Sequence, residues 1–225
     1  MNEPENVRQR YQRRQMQYDP LDQWVCCVRQ SVDRAIALQL RRAGMLPVAG
    51  KRFLEVGCGT GSNLLHFLRL GFLPELLVGN ELIAERVRAA RHVLPAALEI
   101  VEGDAMALPY APGSFDIVFQ SMVFSSLLDH GFRRRLATKM WDWVRPGGGV
   151  LWYDFVYDNP RNPDVRGVRL AEVAELFPHA SINTVRVTLA PPIGRRVARH
   201  QALYRFLELV PFLRTHVLCW IAKSN

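Results

Sequence analysis

The sequence predicts an α/β protein built on an open, doubly wound, mostly parallel sheet. Two observations carry that prediction. Between residues 51 and 155, apolar runs with strand character alternate with amphipathic segments of helical period. Strands separated by helices of this length pair in parallel through right-handed crossovers. In addition, the first apolar run, FLEV at 53–56, leads directly into GCGTGSN at 57–63. Glycines this closely spaced at the end of a first strand mark backbone that must approach a ligand.

Each element follows from its residues. From Leu21 to Arg42, apolar side chains recur at Val25, Val28, Val32, Ile36 and Leu40, a helical stripe closed by Gly44. Lys51–Val56 reads as a buried strand, and Thr60–Leu70 as a helix with Leu64, Leu65 and Leu68 on one side. A second strand is expected at 75–79, a helix at 84–94 ended by Pro95, a third strand at 98–101 and a fourth at 115–120. Phe132–Val144 reads as a helix stopped by Pro146-Gly147, followed by a fifth strand at 149–155. The last third differs. A helix at 169–177 precedes two alternating segments, 181–189 and 215–223, with one Arg-rich amphipathic helix between them at about 195–210.

Composition narrows the class. The chain has 225 residues, 49% hydrophobic and 22% charged, enough for one sizeable core and typical of a globular domain. We expect residues 1–18 to form a mobile N-terminal segment and 19–225 a single domain. The Arg-rich start has no apolar signal-peptide core, and no apolar stretch is long enough to span a membrane. Cys26, Cys27, Cys58 and Cys219 fit neither zinc-ligand nor thioredoxin spacing. They read as reduced thiols of a cytoplasmic protein without a metal. A net charge of +8 can mark a nucleic-acid or anionic-membrane surface. Here the arginines are scattered without interleaved aromatics, which argues against a nucleic-acid face.

The glycine loop excludes two phosphate readings. In a dinucleotide fingerprint, G-x-G-x-x-G, the third glycine would stand where Ser62 does, and no lysine follows to complete a phosphate loop. Instead, Glu55-Val56-Gly57-Cys58-Gly59-Thr60-Gly61 resembles the first motif of class I S-adenosylmethionine-dependent methyltransferases, E/D-x-G-x-G-x-G. Three further landmarks follow in that family's order: VGNEL at 78–82, EGDAMALPYAPGSFDIV at 102–118 and WVRPGGGVLWYDF at 143–155. The resemblance covers roughly residues 50–157. It implies a Rossmann-like seven-stranded sheet of order 3-2-1-4-5-7-6, with strand seven antiparallel, and S-adenosylmethionine as cofactor.

Carried over residue by residue, the resemblance implies a cofactor site. Backbone at Gly57, Cys58, Gly59 and Gly61 would lie against methionine and ribose, with Asn63 adding a polar contact and Glu55 bonding at the loop. Glu81, followed by Leu82, would accept the ribose hydroxyls. Asp104 and the Ala105 amide would take the adenine, and the main chain at Gln120 would face the methionine ammonium. Bland readings stand beside these: Asp104 as a turn cap, Glu81 as a surface acid, Cys58 as a small core residue.

Acceptor chemistry is less constrained, because methyl transfer is mainly a positioning problem and only a hydroxyl acceptor needs a base. Many relatives carry His-His after strand four; here Ser125 and Ser126 stand there. That leaves His130, behind Asp129, and Asp154, at the end of strand five, as catalytic candidates. Tyr153, Asn159, Arg161 and Asn162 are candidates for acceptor binding, with a turn and cap reading as the rival. His92, His179 and His200 read as solvated or core residues. The leading expectation is a methyltransferase acting on a small molecule, such as a sugar or secondary metabolite, through a hydroxyl or amine. An RNA-directed enzyme and a non-catalytic cofactor-binding protein are the alternatives. Tyr11, Tyr18 and Trp24 are placed to close over cofactor. The 195–210 helix, with Leu203, Phe206, Leu207 and Val210 on one side, reads as packing against the domain, with a membrane-surface role the alternative if the acceptor is lipid-linked.

Overall fold

The computed structural model describes residues 2–13, 19, 21–160 and 162–224. Helix α1 (Glu3–Arg13) and helix α2 (Gln23–Arg42) precede the sheet. The alternating region then runs β1 (Phe53–Val56), α3 (Ser62–Arg69), β2 (Leu77–Glu81), α4 (Ala84–Val93), β3 (Glu99–Glu102) and β4 (Phe115–Ser121). It continues with α5 (His130–Trp143), β5 (Val144–Phe155) and α6 (Leu170–Leu176). Last come β6 (Ser181–Leu189), α7 (Pro191–Val197), α8 (Gln201–Glu208) and β7 (Arg214–Ala222).

The seven strands are ordered β3-β2-β1-β4-β5-β7-β6. β7 runs antiparallel to both β5 and β6, and the remaining pairs are parallel. This is the order and the hand of strand seven that the motif order implies. Because strand side chains alternate, the sheet has two cores. Phe115, Trp152 and Val217 pack with Leu136, Met140 and Trp143 of α5 on one face. Phe53, Phe119 and Leu218 pack with Ile36, Leu64 and Val87 of α2, α3 and α4 on the other. On the second face, Phe53, Phe67, Phe72 and Phe119 form a cluster of rings 4.2–6.1 Å apart.

Four differences from the sequence reading have local causes. β2 runs two residues later than expected, since Pro74 opens a short 3-10 turn over Pro74–Leu76 before the strand begins. β5 begins at Val144, not Gly149, because Val144 already pairs with Phe115 and a register shift absorbs the Pro-Gly-Gly turn. The single helix expected at 195–210 is two, α7 and α8, since Pro191 and Pro192 start a helix earlier and residues 198–200 break it. The N-terminal segment, expected to be separate and mobile, is helical and docked over Glu3–Arg13. Val7 is buried in the α5-side core, with Tyr11 packed against its edge, and Glu3 Oε1 accepts from the Leu128 amide at 2.8 Å and from Arg10 at 2.7 Å. Tyr18 lies outside the described residues.

Candidate active site

At the carboxyl end of β1 the chain passes through Gly57, Gly59 and Gly61 at φ +69°, +58° and +86°, conformations that strain any residue with a Cβ. Their surroundings differ. A Cβ on Gly57 would stand 2.5 Å from Val123, and one on Gly61 2.6 Å from Leu94. Those two glycines therefore admit the loop after β4 and the end of α4. At Gly59 none of the described residues lies within 4 Å of the Cβ position. Here the backbone borders open space.

Around this loop the expected acids converge. Glu55 is fully buried. Its Oε1 accepts from Asn63 Nδ2 at 2.7 Å, and Asn63 Oδ1 in turn accepts from Arg29 at 2.8 Å. Among the described residues Glu55 Oε2 has no partner. Burial, opposed by the Asn63 bond and the Arg29 charge, pushes its carboxyl up to about 8. Glu81, at the end of β2, is buried and bridges two loops. One oxygen accepts from the Gly59 amide at 2.8 Å, the other from the Ile83 amide at 2.9 Å. The surface-acid reading of Glu81 is thereby excluded. Asp104 accepts from the Met106 amide through Oδ1, so it is a cap, while its half-buried side chain leaves Oδ2 unengaged by the described residues. Leu82 and Met106 lie at the edge of the α5-side core, as Tyr11 does, and Ala105 is buried in it. The Arg86 guanidinium stands over the Tyr11 ring at 4.3 Å. Cys58 is buried, its thiol raised by desolvation, and its amide bonds to Asn80 O.

The loop after β4 is held from several sides. Gln120, fully buried, donates to Tyr153 O and accepts from the Val123 amide. Met122 adopts a φ of +62°, uncommon for a residue with a side chain. Arg10 donates to Ser126 O at 2.8 Å, and the Arg166 amide to Ser125 O.

The candidate acceptor residues are placed differently from expectation. Asp154 does not border an open crevice: it is fully buried, with Oδ2 accepting from the Ser125 amide at 3.1 Å and Oδ1 from the Phe155 amide at 3.0 Å. Burial raises its carboxyl to about 7. Tyr153 points to the opposite face because strand side chains alternate. Its hydroxyl lies 2.8 Å from Thr188 Oγ1 and its ring stacks on His216. His130 is half-exposed, with Nε2 2.6 Å from Arg166 and Nδ1 3.6 Å from Glu172. The same Glu172 pairs with buried Arg133 at 2.6 Å, so His130 belongs to an ionic cluster that ties the 157–168 loop to α5. Asn159 and Asn162 form a turn in that loop: the Asn162 amide donates to Asn159 O, and Asn162 Oδ1 accepts from Asp164 N. Arg161 lies outside the described residues. Sequence reasoning missed Arg29, which carries no motif signal in its helix, and the docking of α1 through Glu3 and Arg10.

Comparison with known proteins agrees with this geometry. Residues 54–152 match the family model described as a methyltransferase domain. A ubiquinone/menaquinone biosynthesis C-methyltransferase from Dinoroseobacter shibae is 31% identical over 72% of this chain and 60% of its own length. A fatty-acid O-methyltransferase from Mycolicibacterium smegmatis is 38% identical over 53% of this chain and 43% of its own. The matched regions thus cover less than two thirds of either relative. Among solved structures, an S-adenosylmethionine-dependent methyltransferase from Mesorhizobium loti superposes with a TM-score of 0.60 at 17% identity, covering 84% of this chain and 97% of that one. Residues 54–152 thus match a methyltransferase domain, and the sheet has the fold of solved S-adenosylmethionine-dependent methyltransferases. A phosphoethanolamine N-methyltransferase from Haemonchus contortus solved with S-adenosylmethionine bound shares the fold, with a TM-score of 0.61 at 17% identity.

Proposed function

We propose that this protein binds S-adenosylmethionine across the ends of β1, β2 and β4 and transfers its methyl group to a small-molecule acceptor. One observation carries the reading. Glu55 is a fully buried carboxylate with an unpartnered oxygen at the foot of a glycine loop that borders open space. Such an oxygen calls for a partner from outside the described residues, and the cofactor's ammonium supplies one. In this reading Glu55, kept in place by Asn63 and Arg29, receives the ammonium together with the Gln120 main chain. The backbone of Gly57, Cys58 and Gly59 lies along methionine and ribose. Glu81 keeps lone pairs for the ribose hydroxyls while pinning the loop, and Asp104 Oδ2 and the Ala105 amide receive the adenine beside Leu82.

Bound there, the cofactor supplies a sulfonium methyl, an electrophile that asks no covalent help from the protein. The chain's own work is orientation and exclusion of water. The positions of Ser121, Met122 and Val123 direct the acceptor, since the side chain of Gln120 and the carboxylate of Asp154 hold that loop from below. Asp154 is a positioning residue in this scheme, and His130 holds the outer loop that carries Asn159 and Asn162. We assign the acceptor to compounds with a hydroxyl or amine on a largely apolar frame, as in lipids and secondary metabolites. Two named relatives support the apolar frame: one is a C-methyltransferase of ubiquinone and menaquinone biosynthesis, the other a fatty-acid O-methyltransferase, which also supports an oxygen acceptor. Calorimetric titration with S-adenosylmethionine, followed by transfer of labelled methyl to pooled apolar and glycosylated acceptors, tests the reading. Absence of cofactor binding would defeat it; binding without turnover in any pool would leave a non-catalytic binding protein.

A further inference from the structure

We propose that the face formed by α7, α8 and the turn into β7 docks on an anionic lipid bilayer. The sequence of α8 divides into two sides. Tyr204 and Glu208, one helical turn apart, are buried against the domain. Leu203 and Phe206 point the other way, 43% and 65% exposed, and Leu209 and Phe212 continue the same run at 71% and 78%. Four large apolar side chains are thus left in water within ten residues of sequence, at a spacing of three, the kind of apolar exposure that marks an interaction site.

The rim of the patch selects the partner. Arg195, Arg196, Arg199 and Arg205 are exposed, and among the described residues none stands within ion-pair distance of a carboxylate. The one acid between residues 191 and 213 is Glu208, which faces inward. Behind α8, Arg205 lines a cavity of about 330 Å³ together with Arg34, Arg186 and Arg214, four arginines against the one carboxylate of Glu208. The guanidiniums of Arg186 and Arg214 are bonded there to backbone carbonyls and a phenol, not to carboxylates. Positive potential therefore backs the patch as well as surrounding it. An amphipathic helix with aromatic and aliphatic residues outward and arginines beside them lies in the plane of an interface, its apolar side in the acyl boundary and its cations among anionic headgroups.

Position gives the surface a use. α7 and α8 join the carboxyl end of β6 to β7, so the patch lies at the end of the sheet where the glycine loop opens. An acceptor dissolved in the bilayer would reach the crevice without crossing water. The docking itself does not depend on methyl transfer.

The test uses the full chain and vesicles of phosphatidylcholine, alone or enriched in phosphatidylglycerol. The expected result is co-sedimentation with the anionic vesicles at low salt, weakened by added salt, and little with phosphatidylcholine alone. A Phe206→Ser/Phe212→Ser variant should bind at least about tenfold more weakly, and Arg196→Gln/Arg199→Gln weaker by roughly thirtyfold. Both should bind S-adenosylmethionine as the parent does, which separates failure of docking from failure of the cofactor reading. Equal vesicle binding by parent and variants, or none by the parent at low salt, overturns the proposal. So does concentration-dependent dimerisation abolished by the Phe206/Phe212 variant, which would assign the face to a second copy of the chain.

Discussion

If Glu55 receives the cofactor's ammonium, binding must carry a pH dependence set by burial. In the free protein the Glu55 carboxyl is raised to about 8 from an ordinary 4.5. The sign follows from linkage: the group favours the fold when protonated, so its contribution is fully present below about 4.5 and lost as pH rises through about 8. Cofactor reverses the preference, because a cation beside the carboxyl favours its ionised form. Binding below pH 8 must therefore release a proton, and the apparent Kd scales as one plus the ratio of protonated to ionised Glu55. Between pH 6 and pH 7 it should fall about fivefold to ninefold for a carboxyl titrating at about 7 to 8. The range below pH 7.5 is the informative one, since a free α-amino group itself titrates near 8. Isothermal calorimetry in two buffers of different ionisation enthalpy reads both the affinity and the proton released. In Glu55→Gln the affinity should be weaker and flat with pH, with no proton release. A flat profile for the parent, or an unchanged slope in Glu55→Gln, refutes the reasoning.

Other substitutions probe neighbouring parts of the site. Glu81→Ala should weaken S-adenosylmethionine binding by about 1 to 3 kcal/mol in the same calorimetric assay, with some loss of Tm, because the Gly59 and Ile83 amides lose their acceptor. The glycines should separate by what each borders. Gly57→Ala, driven into Val123, should lower Tm, whereas Gly59→Val, facing open space, should chiefly abolish binding; normal binding by a folded Gly59→Val would exclude the loop from the site. Asp154→Asn should cost about 1 to 3 kcal/mol in urea unfolding with turnover per folded molecule little changed, and a large selective loss of turnover would instead make Asp154 catalytic. Parent stability should also fall as pH rises from about 4 toward about 7 through this group, a component absent from the Asn variant. Hydrogen exchange across Glu3–Arg13 should slow when cofactor is added if α1 covers the bound ligand, and unchanged protection would count against that lid.

Much of the fold was legible because its signals are local. Period, caps and breakers place α2, α3, α4 and β6 within a few residues, and the motif order places the strands. The candidate cofactor acids could be picked out for the same reason: Glu55, Glu81 and Asp104 each stand at a fixed offset from a strand end. What escaped was set by tertiary contact. Whether Tyr153 or Asp154 faces the crevice depends on strand register and on what covers the strand end. A buried Asp154 bonded to Ser125, and a Tyr153 turned toward Thr188, have no signature in YDF. The docking of α1 rests on a carboxylate of residue 3 meeting an amide of residue 128, a pairing that no window of sequence contains.

That last contact has a practical consequence. Glu3 is 3% exposed, and together with Arg10 it satisfies an amide and a carbonyl of the segment that follows β4. Any segment joined ahead of Glu3 would enter beside a buried ion pair wired to the wall of the candidate site. Removal of the first helix would leave the Leu128 amide and Ser126 carbonyl to find other partners. Kinetic comparisons between preparations that differ only in their N-terminal extensions should therefore be read as comparisons of the site itself.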